Sequence, residues 1–117
     1  MVDIIDDDDA VRQAMKALLE SYGYVVRDHS SAEHFLGHTT TPPDCLLVDQ
    51  NMPGMSGIDL LEHLRAGGDR TPALIMTGRS DAELEPRLAR IGVRLLCKPV
   101  PENELVRWLQ QAHQGQA

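Results

Sequence analysis

The sequence predicts an α/β fold in which a parallel sheet of five strands is covered on both faces by five helices. Short apolar runs of strand length alternate along the chain with longer stretches of helical periodicity. Helix-capping residues and glycines separate the two kinds of segment. The 117 residues, 42% of them hydrophobic, suit one domain with one modest core.

The strands are predicted from short, mainly apolar runs of the length of a buried strand. In chain order they are residues 2–5, 24–26, 45–48, 73–76 and 95–97. Because helices alternate with the strands, the strands are expected to run parallel in a sheet that helices cover on both faces.

The helices are predicted from apolar residues spaced three and four apart, which places them on one face. They are Val11, Met15, Leu18, Leu19 and Tyr22 in the first helix, Ala32, Phe35 and Leu36 in the second, Ile58, Leu61 and Leu64 in the third, Leu84, Leu88 and Ile91 in the fourth, and Leu105, Trp108, Leu109 and Ala112 in the last.

Residues that start and stop helices support these boundaries. Ser30 with Glu33, and Ser80 with Glu83, match the capping box that opens a helix. Pro101 suits the first turn of the last helix. The glycines that stand where helices are expected to end are Gly23, Gly67, Gly68 and Gly92.

Composition excludes several classes of function. The net charge of −7 argues against direct binding to nucleic acid or to an anionic membrane, because both require a basic surface. No apolar run reaches membrane-spanning length, and the chain turns acidic at Asp3, so neither a membrane span nor a signal peptide is expected and the cytoplasm is the expected compartment. Cys45 and Cys97 lie in apolar runs and are interpreted as small buried hydrophobic residues.

Polar residues stand at the ends of four predicted strands: Asp6 and Asp7, Asp49, Thr77, and Lys98. The carboxyl ends of parallel strands form one edge of the sheet, where such sheets bind ligands. Crowded carboxylates repel one another, and a divalent cation relieves that repulsion. Mg²⁺ fits best because it prefers oxygen ligands, and Mn²⁺ is a possible substitute.

The same residues offer phosphoryl chemistry. Lys98 and Thr77 supply donors to phosphoryl oxygens, and an aspartate beside magnesium can attack phosphorus. The stretch "IIDDDD" holds two further acids, Asp8 and Asp9. These are expected to begin the first helix, where negative charge is favourable, and not to bind the cation.

Four motifs, "IIDDDDAVR", "LLVDQNMPGMSG", "LIMTG" and "LLCKP", occur together and in order. With them the chain, from Val2 to about Ala112, resembles a receiver domain of a two-component response regulator. The resemblance implies a single flavodoxin-like (βα)5 domain over residues 1–117 with strand order 2-1-3-4-5.

The resemblance also implies a role for each site residue. Asp49 would be the phosphoacceptor, with Asp6, Asp7, Asp49 and the backbone carbonyl of Asn51 as the magnesium ligands. Lys98 would pair first with Asp49 and then with the phosphoryl group, and its peptide bond to Pro99 would be cis. Thr77 would bond a phosphoryl oxygen and report phosphorylation to the surface.

The implied partners are a sensor histidine kinase or a histidine phosphotransfer protein as donor, and a downstream protein or output domain as reader. A homodimer through the fourth and fifth helices is possible. The domain would be a signalling switch and not a metabolic enzyme, with only limited self-catalysed phosphoryl transfer and hydrolysis. One departure concerns Leu95, which occupies the position where receivers usually carry a switching aromatic residue, so the usual coupling from Thr77 is in question.

Other interpretations compete with this one. A phosphate-independent binding module of the same fold is the alternative that Leu95 favours. A phosphohydrolase would need a second acid at Asn51, and a flavin-binding protein would need a phosphate-binding loop where this chain has four aspartates. His34 and His38 have a spacing that zinc can use, but no third ligand is apparent nearby, and the histidines at 29, 63 and 113 are expected in solvent.

Overall fold

The computed structural model describes residues 1–38, 41–79 and 81–114, with side chains of the last helix as far as Ala112. Within those ranges strands and helices alternate strictly. The strands are β1 (Val2–Ile5), β2 (Val26–His29), β3 (Cys45–Asp49), β4 (Ala73–Thr77) and β5 (Arg94–Cys97). The helices are α1 (Asp9–Ser21), α2 (Ala32–His38), α3 (Gly57–Ala66), α4 (Leu84–Arg90) and α5 (Glu102–Gln114).

The five strands form one parallel sheet in the order β2-β1-β3-β4-β5, which confirms the predicted fold class and strand order. Ile5 pairs with Val48, Asp49 with Met76, and Thr77 with Cys97. Because these partners stand near the ends of their strands, the carboxyl ends of β1, β3, β4 and β5 form a common edge.

Two hydrophobic cores lie on opposite faces of the sheet. One contains residues of α2, α3 and α4, among them Phe35, Leu61 and Leu88. The other contains residues of α1 and α5, including Leu19 and Leu109, which are fully buried. Helix faces of period 3.6 therefore pack on strands that are buried from both sides, as predicted from the sequence.

The edge strand β2 is displaced from its prediction at residues 24–26. It begins at Val26, which pairs with Val2, and continues through polar residues to His29. Ion pairs satisfy these polar side chains: Arg27 Nε lies 2.7 Å from Asp3 Oδ1, and Asp28 Oδ2 accepts from Arg12 Nε at 2.9 Å. An apolar run does not identify a strand whose side chains are neutralised by partners elsewhere in the chain.

Several side chains predicted to be buried lie on the surface. Tyr22 is 49% exposed because it follows the end of α1, where its hydroxyl donates to Glu102 Oε2, and Leu36 is 38% exposed. Cys97 is exposed at the end of the edge strand β5, whereas Cys45 is buried as expected. Burial raises the pKa of the Cys45 thiol to about 12. The opposite error occurs at His29, which is buried and not in solvent, while His63 is exposed as predicted.

The helix ends follow the predicted devices at α1 but differ at the starts of α2 and α4. Helix α4 begins only at Leu84, and its N-cap residue Glu83 makes no side-chain capping bond. Asp8 caps α1 by accepting from the Val11 backbone N–H at 3.1 Å, as expected for an acid outside the cation site. Helix α2 is capped by Ser31, not Ser30, because Ser31 Oγ accepts from the His34 N–H. Ser80 and the side chain of His113 lie outside the described residues. None of the helices in the part of the chain that the structure covers is long and apolar enough to cross a membrane.

Candidate functional site

Three carboxylates converge at the carboxyl ends of β1 and β3. Asp6 follows β1 and is fully buried, and Asp49 ends β3 and is 4% exposed, whereas Asp7 is open to solvent. One carboxylate oxygen from each of the three lies within 4.8 Å of the others. The group can hold a metal ion that two buried acids and one accessible acid share.

Lys98 joins this group from the end of β5. Its Nζ lies 3.0 Å from Asp49 Oδ1 and 3.3 Å from Asp6 Oδ2. The Lys98 backbone N–H donates to the Thr77 carbonyl at 2.7 Å, which fixes the start of the side chain at the sheet edge. The peptide bond between Lys98 and Pro99 is cis, as the resemblance implied.

The charges of the group are unbalanced. Burial raises the pKa of the Asp49 carboxyl; the bond from Lys98 opposes the shift, the charge of Asp6 reinforces it, and the net shift is upward. For Lys98, burial lowers the pKa, but the bond to Asp49 and the charge of Asp6 outweigh burial and raise it. One ammonium cannot neutralise three carboxylates, so a further cation is favourable here.

Thr77 and Asn51 lie beside the acids, next to a cavity of about 340 Å³. The Thr77 hydroxyl is buried; it donates to the Arg79 carbonyl at 3.0 Å and accepts from the Arg79 N–H at 3.2 Å. Asn51 Nδ2 also donates to Thr77 Oγ1, at 3.2 Å. The structure therefore brings Asp6, Asp7, Asp49 and Lys98 into one group and places the Asn51–Thr77 pair at the end of the neighbouring strand.

Sequence reasoning missed Arg12, a buried arginine of α1. Its Nη1 donates to the Asp6 carbonyl at 2.8 Å and its Nη2 to Asp9 Oδ1 at 2.7 Å, in addition to the bond with Asp28. The side chain is 11% exposed. Arg12 thus holds the loop that carries the acids, and its place seven residues before buried Leu19 was the signal that put it on the inner face of the helix.

The loop after Asp49 is fixed by contacts at the start of α3. Gln50 Oε1 accepts from the Ile58 N–H at 2.8 Å, and the Gly57 N–H donates to the Gln50 carbonyl at 3.2 Å. Gly57 packs so closely that an added Cβ would lie 2.7 Å from the Asp49 carbonyl oxygen. These contacts fix the backbone that directly follows Asp49.

Comparison with known proteins decides the family. A family model described as the response regulator receiver domain matches residues 2–110. The chain belongs to the response regulator receiver domains. Receiver domains of this family are parts of two-component response regulators and are not enzymes in the ordinary sense.

Individual relatives agree with this family assignment. The domain is 40% identical over 108 residues to the transcriptional regulatory protein FixJ of Azorhizobium caulinodans, covering 90% of this chain and 51% of FixJ. It is 34% identical over 111 residues to the response regulator protein TodT of Pseudomonas putida, covering 93% of this chain and 49% of TodT. This receiver domain thus spans about half the length of these curated relatives.

Solved structures match over nearly the whole chain. The response regulator StyR superposes with a TM-score of 0.88 at 36% identity, covering 97% of this chain and 58% of that one. A CheY-like receiver domain protein from Methanospirillum hungatei gives a TM-score of 0.90 at 26% identity, covering 98% and 94% of the two chains.

Proposed function

We propose that this receiver domain accepts a phosphoryl group on Asp49 from the phosphohistidine of a sensor histidine kinase or histidine phosphotransfer protein. The observation that carries the proposal is the buried Asp49 carboxylate, 3.0 Å from Lys98 Nζ and grouped with the carboxylates of Asp6 and Asp7. A nucleophile, a counter-cation and acids suited to a metal are the parts that phosphoryl transfer to a carboxylate requires.

Mg²⁺ would be held by the carboxylates of Asp6, Asp7 and Asp49 and by the backbone carbonyl of Asn51, with Mn²⁺ as a substitute. The donors are oxygens, which suit these hard cations, and exposed Asp7 leaves the site open to solvent and to a donor. The upward pKa shift of Asp49 supports the fit, since part of it comes from the neighbouring Asp6 charge that a cation would offset. When bound, the ion supplies positive charge to the phosphoryl oxygens.

The chain's own residues account for the transfer. An oxygen of Asp49 attacks phosphorus; the new O–P bond forms as the P–N bond to the donor histidine breaks, and the donor imidazole leaves with the electron pair. Lys98 shifts its ammonium from the Asp49 carboxylate to a phosphoryl oxygen, where it stabilises charge in the transition state. Hydrolysis by water later returns Asp49 and inorganic phosphate, so self-catalysis is limited to these two steps.

Thr77 provides a route from the site to the surface. To donate to a phosphoryl oxygen, its hydroxyl must give up the bond to the Arg79 carbonyl, and the loop between β4 and α4 must then move. Leu95 is partly buried against the core under α2, α3 and α4. In this proposal, movement of the loop between β4 and α4 takes the role that the aromatic residue at the position of Leu95 has in other receivers. The movement changes the surface around α4, β5 and α5.

The reader of that surface is proposed to be an output domain or a downstream protein. The relatives carry names of transcriptional and response regulators and are about twice as long as this chain. Regulation of an output is proposed on this basis. A cytoplasmic location and a homodimer through α4 and α5 are proposed only from the resemblance to receiver domains. The phosphate-independent binding module is not favoured, because it has no use for a buried Asp49 carboxylate paired with Lys98.

Thermal unfolding tests the metal and phosphoryl sites. Mg²⁺ binds only the folded state in this proposal, so a hundredfold excess over its Kd is expected to stabilise the wild type by about 3 kcal/mol. Beryllium fluoride, a mimic of the phosphoryl group, is expected to raise Tm further, but only when Mg²⁺ is present.

The variant Asp49→Ala should lose the beryllium fluoride effect and most of the magnesium effect. Asp59→Ala, which removes an exposed aspartate of α3, should keep both. Equal responses in the wild type and in Asp49→Ala would overturn the proposal, and the absence of any response in the wild type would favour the binding module.

A further inference from the structure

Three histidines, His29, His34 and His38, lie together between β2 and α2 and have no role in the proposed phosphoryl chemistry. The spacing of His34 and His38 suits zinc, but the sequence offers no obvious third ligand. The structure adds a candidate from another element: His29, 6% exposed at the end of β2, places its Nδ1 3.0 Å from His34 Nδ1.

Two ring nitrogens this close need something between them. Two lone pairs or two N–H groups would repel, so one proton or one metal ion must bridge the contact. Zinc–nitrogen bonds of about 2.0–2.1 Å put two ligand nitrogens of one ion about 2.9–3.4 Å apart, from right-angled to tetrahedral geometry. The observed separation of the His29 and His34 nitrogens lies in that range, so both nitrogens can bind one ion at their present distance once the two rings turn toward it.

The other nitrogen of His29 has the surroundings of a metal-bound histidine. His29 Nε2 is buried, makes no hydrogen bond to any described residue, and lies 3.5 Å from Asp3 Oδ2. Asp3 is itself fully buried and held by Arg27 through bonds of 2.7 and 3.0 Å. A carboxylate this near Nε2 favours the proton there and leaves Nδ1 unprotonated, which is the tautomer of the carboxylate–histidine–metal arrangement.

His38 can complete the set. Its ring stacks on His34 with centroids 4.1 Å apart and an interplanar angle of 16°. His38 is exposed, and its Nδ1 now bonds the His34 carbonyl at 2.9 Å, so rotation of this one side chain presents a third imidazole. Water can fill the remaining position of a tetrahedral ion.

We infer that His29 and His34, extended by His38, form a site for one divalent transition-metal ion of the zinc class. Imidazole nitrogens suit Zn²⁺, Cu²⁺ and Ni²⁺ and discriminate against Mg²⁺, which takes oxygen ligands. The site is separate from the acids, although the His29 carbonyl accepts from the Asp6 N–H at 3.1 Å. The inference does not rest on the proposed function.

Titration calorimetry with Zn²⁺ tests this site, in excess Mg²⁺ to fill the acidic group and in a Cys97→Ser background to remove the exposed thiol. We expect one Zn²⁺ per chain. His34→Gln should weaken binding on the order of a hundredfold, and His38→Gln should weaken it less, on the order of tenfold. His63→Gln, which changes a solitary exposed histidine of α3, is the matched control and should bind as the parent does.

Absence of Zn²⁺ uptake in excess Mg²⁺, or equal affinity in the parent and in His34→Gln, would overturn the inference. Circular dichroism shows whether each variant keeps its fold. Electron paramagnetic resonance of Cu²⁺ on the unmutated histidines gives an independent measurement. Hyperfine coupling to at least two imidazole nitrogens supports the site, and coupling to one or none contradicts it.

Discussion

Asp49→Asn is expected to abolish phosphoryl uptake and, without magnesium, to make the domain more stable at neutral pH. The pKa of Asp49 is raised by burial and by Asp6, so the folded state binds this proton more tightly than the unfolded chain does. Stability due to this group is therefore present below the unfolded value of 3.8 and is lost as pH rises through the raised folded value. Asparagine carries no charge at this position, so the variant does not lose this stability as pH rises.

Urea unfolding of the wild type and Asp49→Asn across acid and neutral pH measures this effect. The two proteins should converge in acid, and the variant should be more stable at neutral pH. Asp59→Asn is the control of opposite sign. Burial raises the pKa of Asp59, but bonds with Ser56 and Arg87 outweigh burial and lower the pKa. Removing the Asp59 carboxylate should therefore destabilise the domain at neutral pH. If Asp49→Asn were less stable than the wild type at neutral pH, the proposed excess of negative charge around Asp49 would be contradicted.

Gly57→Ala is expected to cause the largest loss of stability among small substitutions near the site. An added Cβ would lie 2.7 Å from both the Asp49 carbonyl oxygen and Ile75 Cδ1, and 3.1 Å from Gln50 Cα. Backbone atoms cannot move aside as a flexible side chain can, so we expect a cost of about 3 kcal/mol, a Tm lower on the order of 10 °C, and slower phosphorylation of the displaced Asp49.

Gly37→Ala is the matched control, since Gly37 also lies in a helix but nothing lies within 4 Å of an added Cβ. Alanine should be neutral there or stabilise by up to about 1 kcal/mol. Thermal unfolding compares the two variants. Similar Tm values for both would contradict the close packing of α3 on the loop after Asp49.

The sequence predicted the parts of the fold and site that depend on local pattern. Apolar runs that end in a polar residue located Asp49, Thr77 and Lys98, because parallel strands buried on both faces are nearly continuous apolar segments. The strand phase also separated Asp6 from the capping residue Asp8, and the structure agrees with that separation.

The missed features depend on contacts between distant residues. The edge strand β2 carries Arg27, which is held by Asp3 more than twenty residues away, and no local periodicity reveals such a pair. Arg12 is polar at a buried helix position for the same reason, because its partners Asp6 and Asp28 come from two strand ends. To identify the partners of these polar residues, one must know the strand register, which composition and spacing do not give.

The central claim is tested most directly by intact mass after incubation with acetyl phosphate. Our account predicts the mass of one phosphoryl group per chain with Mg²⁺, no increase with a chelator, and no increase in Asp49→Ala. An unchanged mass with Mg²⁺, or the same increase in Asp49→Ala, would contradict Asp49 as the phosphoacceptor.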